Sequence, residues 1–406
     1  MERRRVVLTG LGLVTPFGVG VEPLWDALME GRSAVRPAEG FDNADMPATH
    51  YAQLPAVDYD RYVDPQRSAL WSRLSRLAVT GGILALGDAK GESIGGERTG
   101  VILGTGYGCT YEFEEQFRTW MEKGWKRLKP ISVPRLMPNA PASHLAIQLG
   151  ARGINFTVST ACSSGAIAAA LAVQQIRSGA IDACLTGGAD YVVNASTAAV
   201  WNALRVLAKR SGADASRPFS ADRDGLVLGE GCAILLLEER EAARRRGARV
   251  HAEVTGIGLT NDATNIVGPD VEGEAAAVRA AIADAGLSPR DIDYVNAHGT
   301  ATEANDANET TVLKQTLGAR AREIPVSSIK GHLGHTMGAA GAIEIAVTAL
   351  ALERQRVPPT LFVVPGDPRC DLDYVPAARA HAMRHAITNS FGFGGQNAVL
   401  VLSRST

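Results

Sequence analysis

Short apolar runs alternate along the chain with longer stretches in which apolar residues recur every three to four positions. Residues 6–9, 99–103, 182–185 and 232–237 read as buried strands, and 292–296, 325–328 and 386–389 as further strands. Residues 67–86, 162–178 and 275–285 carry helical apolar spacing. This alternation predicts an α/β fold with central sheets covered by helices. Residues 107–141, rich in Trp, Lys, Glu and Pro, fit neither period. They read as an insertion, and long insertions in α/β enzymes often cover active sites.

The pattern occurs twice. Val7-Leu8-Thr9-Gly10-Leu11-Gly12-Leu13 resembles Glu253-Val254-Thr255-Gly256-Ile257-Gly258-Leu259. Leu103-Gly104-Thr105 resembles His298-Gly299-Thr300, and Gly165-Ala166-Ile167 resembles Gly341-Ala342-Ile343. Each match is short, but all three occur in the same order. A tandem duplication follows, with halves 1–250 and 251–406 meeting in a charged stretch. The first half carries the insertions, because its matched motifs lie farther apart.

Composition narrows the classes. The 406 residues are 46% hydrophobic and 21% charged, as in a globular protein. A net charge of −2 supplies no global basic field for nucleic acid. No run approaches the length of a membrane span, and the basic N-terminus lacks the apolar core of a signal peptide. The five cysteines, at 109, 162, 184, 232 and 370, show no CxxC or Cys/His metal spacing. Free thiols, no metal and a cytoplasmic, reducing compartment are expected.

One cysteine stands out. Cys162, in Thr160-Ala161-Cys162-Ser163-Ser164-Gly165, precedes an Ala-rich helical run. Unpaired N–H groups at a helix N-terminus favour the thiolate, which is the nucleophilic form. Two histidines, His298 and His335, stand in Gly-rich loops after strands, where α/β sheets gather their ligands. A single such histidine is usually structural. Two of them with a helix-end cysteine point to covalent catalysis.

At these residues the chain resembles the β-ketoacyl-[acyl carrier protein] synthases, in the type II (elongating) branch of the thiolase superfamily. The resemblance covers essentially the whole chain. It rests on 160–165, on Arg217-Pro218-Phe219 with Asp222-Arg223-Asp224-Gly225, and on Asn296-Ala297-His298-Gly299-Thr300. It rests also on 326–341 and on Asn389-Ser390-Phe391-Gly392-Phe393-Gly394-Gly395-Gln396-Asn397. The resemblance implies a thiolase-like, duplicated αβαβα architecture with two mixed sheets.

It also implies a chemistry: decarboxylative condensation of an acyl thioester on Cys162 with malonyl-carrier protein. His298 and His335 would donate Nε2–H to the developing enolate oxygen. Lys330, with carboxylates at Asp306 and Glu344, would orient His335; a plain structural ion network would use the same residues. Phe393 would act as gatekeeper and share an oxyanion site with the Cys162 N–H. Thr300 and Thr302 would hold the phosphopantetheine arm, which the acyl carrier protein supplies; no cofactor of the protein's own is implied. Relatives are homodimers built on the edge strand of the first half, and a homologous subunit could replace one protomer. Arg205, Lys209 and Arg210 are candidates for meeting the acidic carrier, or else a solvated helix end.

The chain departs from the elongating type at the acyl pocket. Tyr107 stands where an aliphatic residue is usual, and Trp201 where a smaller aromatic is common. Residues 301–305 lack a usual Pro, and 330–334 also differ. These changes leave the chemistry and favour a polyketide or polyene chain over housekeeping fatty acid elongation. Two other readings compete. A thiolase would carry a second catalytic Cys where 391–397 stands. A non-catalytic chain-length-factor-like subunit would have lost the nucleophile. The remaining cysteines read as core at 184 and 232, a turn at 370, and an acyl-pocket neighbour at 109; His332 reads as structural.

Overall fold

The protein, described from a computed structural model, is defined over residues 3–91 and 94–405. Ten strands make one continuous sheet path: β1 Val6–Thr15, β2 Thr99–Gly104, β3 Asn155–Val158, β4 Ala183–Asp190, β5 Gly231–Glu239, β6 Ala252–Asn261, β7 Tyr294–Asn296, β8 Val326–Ser327, β9 His385–Gly392 and β10 Gln396–Ser403. Gly18–Val19 adds a short strand to β1. The order is β8-β7-β9-β10-β6-β1-β5-β4-β2-β3. Each half therefore repeats one five-strand arrangement with the same mixture of parallel and antiparallel pairs. The two expected sheets are joined, because β1 and β6 pair at Val7–Glu253 and Leu8–Ala252.

The longer helices are α1 Arg73–Ala89, α2 Thr110–Lys123, α3 Ala140–Leu149, α4 Ser164–Arg177, α5 Ala195–Leu204, α6 Val271–Asp284, α7 Glu303–Leu317 and α8 Ala340–Arg354, of which α1, α3, α4, α6, α7 and α8 cover or separate the half-sheets. α4 and α8 pack against each other and against sheet strands of both halves. Every residue of α8 from Ala340 to Leu352 is buried, as an all-round apolar helix requires. α1 and α3 cover the outer face of the first half, and α6 and α7 that of the second.

The repeated motifs explain this packing. A Cβ on Gly12 would lie 1.8 Å from the Gly81 carbonyl oxygen, and one on Gly258 would lie 2.0 Å from that of Ala277. These glycines let α1 and α6 press against β1 and β6. A Cβ on Gly341 would lie 2.7 Å from Ala166 Cβ, where α4 meets α8. The expected helix over 67–86 is broken: Pro65–Ser68 forms one turn, and Ser72 starts α1 by accepting the Ser75 N–H at 3.0 Å. Residues 107–141 are largely helical, with α2 at their centre. Among the described residues, no helix is long and apolar enough to cross a membrane.

Candidate active site

The loops after β2, β3, β7, β8 and β9 leave the carboxyl ends of their strands. They bring Cys162, His298, His335 and Phe393 around one cavity of about 280 Å³. Cys162 lies in the tight turn Ala161–Ser163, just before α4 starts at Ser164. Ala161 holds φ +49°, and the Ser164 hydroxyl donates to its carbonyl at 2.7 Å. The N–H groups of Cys162 and Phe393 face the sulfur and favour its anion. Burial is the larger effect and pushes the thiol up to about 11. The helix end therefore does not make a resting thiolate, contrary to the expectation from sequence.

Sγ of Cys162 and one ring nitrogen of each histidine lie within 4.8 Å of one another. The two imidazoles meet edge to face, with centroids 5.4 Å apart. Burial, reinforced by the Lys330 charge, holds both well below the ordinary histidine range, so both are neutral. His335 Nδ1 accepts the Met337 N–H at 3.2 Å. Its proton therefore sits on Nε2, which is buried and without a protein partner. His298 Nδ1 lies 3.4 Å from the Lys330 ammonium, a donor, so its proton also sits on Nε2.

The structure rearranges the expected support. Lys330 is 2% exposed; it pairs with Glu344 and donates to the His298 carbonyl at 2.5 Å. Its contacts are therefore with His298 and Glu344, where His335 was expected. Asp306 does not reach Lys330. It accepts the Thr300 N–H at 3.0 Å and the Phe219 N–H at 2.6 Å, with Arg223 Nε 3.7 Å away. Glu309, absent from the sequence reading, accepts the N–H groups of His298 and Gly299, each at 2.8 Å, and Asn389 Nδ2 at 2.9 Å. Burial pushes its carboxyl up to about 7. Asp306 and Glu309 lie three apart on α7, so both face the loop that α7 follows; that spacing was the available signal.

Thr300 and Thr302 line the same cavity, their hydroxyls 2.9 Å apart. Phe393 stacks on Trp201 with centroids 6.0 Å apart, and both line the cavity. Tyr107 stands behind Trp201 at 6.3 Å, 40% exposed and outside the cavity wall. The Phe393 loop turns through Gly394 and Gly395 at φ +89° and +72°, which favour glycine. Exposed Leu204 and Val267 form part of the mouth, beside exposed Arg205. Lys209 and Arg210 are also exposed, and Arg210 is paired with Asp222 at 2.8 Å.

A larger cleft of about 860 Å³, lined by Arg36, Arg73, Glu112 and Glu122 among others, lies along α2 and has no wall at Cys162. Cys184 and Cys232 are buried strand residues, and Cys109 immediately precedes α2, its sulfur 3.5 Å from Ser72 Oγ. Cys370 is half-buried near α7. Both His332 ring nitrogens face carbonyls, of Arg32 at 2.8 Å and Pro359 at 3.0 Å.

Known proteins share this arrangement. The β-ketoacyl synthase N-terminal domain matches residues 3–243, and its C-terminal domain matches residues 251–363. A 3-oxoacyl-[acyl-carrier-protein] synthase 2 of Synechocystis sp. is 38% identical over 411 residues, covering 100% of this chain and 99% of that protein. Nodulation protein E of Rhizobium sp. (strain N33) is 40% identical, covering 98% of each chain. The ishigamide ketosynthase/chain length factor superposes with a TM-score of 0.94 at 34% identity, over 100% of both chains. A type II PKS ketosynthase, in complex with its acyl-carrier protein and bound to the hexaketide, gives 0.91 at 32% identity, over 100% of both chains. With both domain patterns in register and relatives matched end to end, the chain belongs to the β-ketoacyl synthase family.

Proposed function

We propose that the protein catalyses decarboxylative Claisen condensation of a Cys162-bound acyl group with malonyl-[acyl carrier protein]. The observation that carries this reading is the pair of neutral imidazoles with Nε2–H donors, one of them unpartnered, beside a buried thiol. Cys162 first attacks the acyl thioester, and its proton leaves with the released carrier thiol. The malonyl thioester then loses CO₂, and its electron pair moves onto the thioester oxygen as an enolate. His298 and His335 donate to that oxygen; each preorganised donor of this kind is worth roughly 3–4 kcal/mol. The enolate carbon attacks the acyl-enzyme. The Cys162 and Phe393 N–H groups hold the resulting oxyanion, and collapse expels the Cys162 thiolate, which takes a proton from solvent water.

Lys330 and Glu344 hold His298 in this scheme, and Glu309 fixes the backbone of its loop. Thr300 and Thr302 receive the phosphopantetheine arm of the carrier, and Phe393 swings to admit the second substrate. Arg205 and Lys209 meet the acidic carrier at the cavity mouth. The halves 1–250 and 251–406 are two copies of one ancestral unit, and the enzyme works as a homodimer or with a homologous subunit in the cytoplasm. Trp201 and Tyr107 favour a polyketide or polyene chain.

The test is intact-mass measurement of Cys162 acylation, followed by turnover with malonyl-carrier protein. Cys162→Ala is expected to abolish acylation, and acyl transfer surviving in it would sink the mechanism. Equal use of saturated C8–C14 chains would sink the substrate preference alone.

A further inference from the structure

Asp190 closes β4, and its carboxylate is fully buried between the two halves. Four donors converge on it. Oδ1 accepts the Thr105 hydroxyl at 2.6 Å and the Tyr107 N–H at 3.3 Å. Oδ2 accepts the Gly106 N–H at 2.8 Å and the Gly338 N–H at 2.6 Å. Three donors belong to the loop after β2, which carries Tyr107. The fourth belongs to the segment after β8 that carries His335.

The Gly338 peptide reaches the carboxylate through a slot made by backbone of the first half. A Cβ on Gly338 would lie 2.3 Å from the Gly106 nitrogen. Cβ atoms on Gly188 and Gly165 would lie 2.2 Å and 2.7 Å from the Gly338 carbonyl oxygen. Beside Gly338, Met337 holds φ +52°, a conformation that non-glycine residues rarely keep unless the surroundings enforce it. The Met337 N–H is the group that donates to His335 Nδ1.

We propose that Asp190 is a positioning residue for His335: by anchoring Gly338 it holds the Met337 N–H on Nδ1 and so keeps the histidine proton on Nε2, in register with the Tyr107 loop. This rests on the role proposed above for His335. Without the carboxylate, the Gly338 and Gly106 N–H groups lose their acceptor in a buried site. Rotation of the segment 337–338 relieves that loss, and it also withdraws the Met337 N–H from the imidazole. A carboxylate that served stability alone would leave the tautomer unchanged and weaken every partial reaction alike.

Asp190→Asn tests this, because it keeps the size but sets an NH₂ group against one of the two donor pairs. Three readouts compare it with the wild type. Acylation of Cys162, followed by intact mass, is expected to stay close to the wild-type rate. Condensation with malonyl-carrier protein is expected to lose about 100-fold in kcat, the scale of an ångström-sized misplacement, with KM little changed. ¹⁵N NMR of histidine-labelled protein is expected to show His335 solely as the Nε2–H tautomer in the wild type and as a mixture in the variant. A variant that keeps the single tautomer overturns the proposal, and so does an equal loss in acylation and condensation. A wild-type enzyme that loads Cys162 but never condenses would defeat the reading of function, while the tautomer comparison would still decide the role of Asp190.

Discussion

At the scale of single residues, Cys162 shows two effects of opposite sign. The turn before α4 offers N–H groups to the sulfur, and burial opposes them more strongly. With the thiol pushed up to about 11, the uncharged thiol is the dominant form at pH 7. Alkylation of Cys162 by iodoacetamide should therefore be slow at pH 7 and rise about tenfold per pH unit to pH 10, with no plateau at 9. A plateau near pH 8 would show that the helix end prevails. Glu309 gives a second prediction. Glu309→Ala leaves the N–H groups of His298 and Gly299 unpaired, at a cost of about 1–3 kcal/mol each. Its urea midpoint should fall and condensation should collapse, whereas intact turnover would remove Glu309 from the site. The reactive residue types were legible in the sequence because each stands in a loop of distinctive composition. Of their supporting carboxylates, Asp306 and Glu344 were reached only through the family resemblance, and Glu309 was missed, because it acts on backbone N–H groups of a loop that precedes it and stands in no motif of its own.

At the scale of elements, close approach decides what each glycine does. Gly12 faces the Gly81 carbonyl, so Gly12→Ala should cost about 1–3 kcal/mol or more through overpacking. Gly87, on the exposed side of α1, has nothing within 4 Å of a built Cβ, so Gly87→Ala should stabilise by about 0.5–1 kcal/mol. Urea unfolding of the two variants would check both signs, and a stabilising Gly12→Ala would refute the packing account. The positions of β1, β2, β4, β5, β7, β8 and β9 were legible because buried strands read as continuous apolar runs, whereas β3, β6 and β10 were not read as strands. The break before α1 was not, because its apolar spacing continues across Ala69–Ser72 and only the Ser72 cap ends it. The α2 segment was missed although Phe113, Phe117, Trp120 and Met121 recur at helical spacing; they face solvent rather than the core, and the Lys, Gly and Pro residues that follow break the pattern.

At the scale of the whole molecule, Phe156 on the edge strand β3 is 38% exposed, and Phe113, Phe117, Trp120 and Met121 of α2 are exposed as well. The homodimer proposed above would cover such apolar side chains. Sedimentation should find twice the chain mass, and Phe117→Asp should shift the protein toward the monomer; a monomeric wild type would refute this. The sequence by itself determined the α/β class, the internal repeat and the three candidate side chains that the structure brings around one cavity. Local pattern, short motifs and residue chemistry suffice for those. Only the tertiary structure decided that one sheet joins the halves, that Lys330 contacts His298, and that burial pushes the Cys162 thiol up. Each of these depends on distances between segments far apart in the chain and on exclusion of water, which no local pattern encodes.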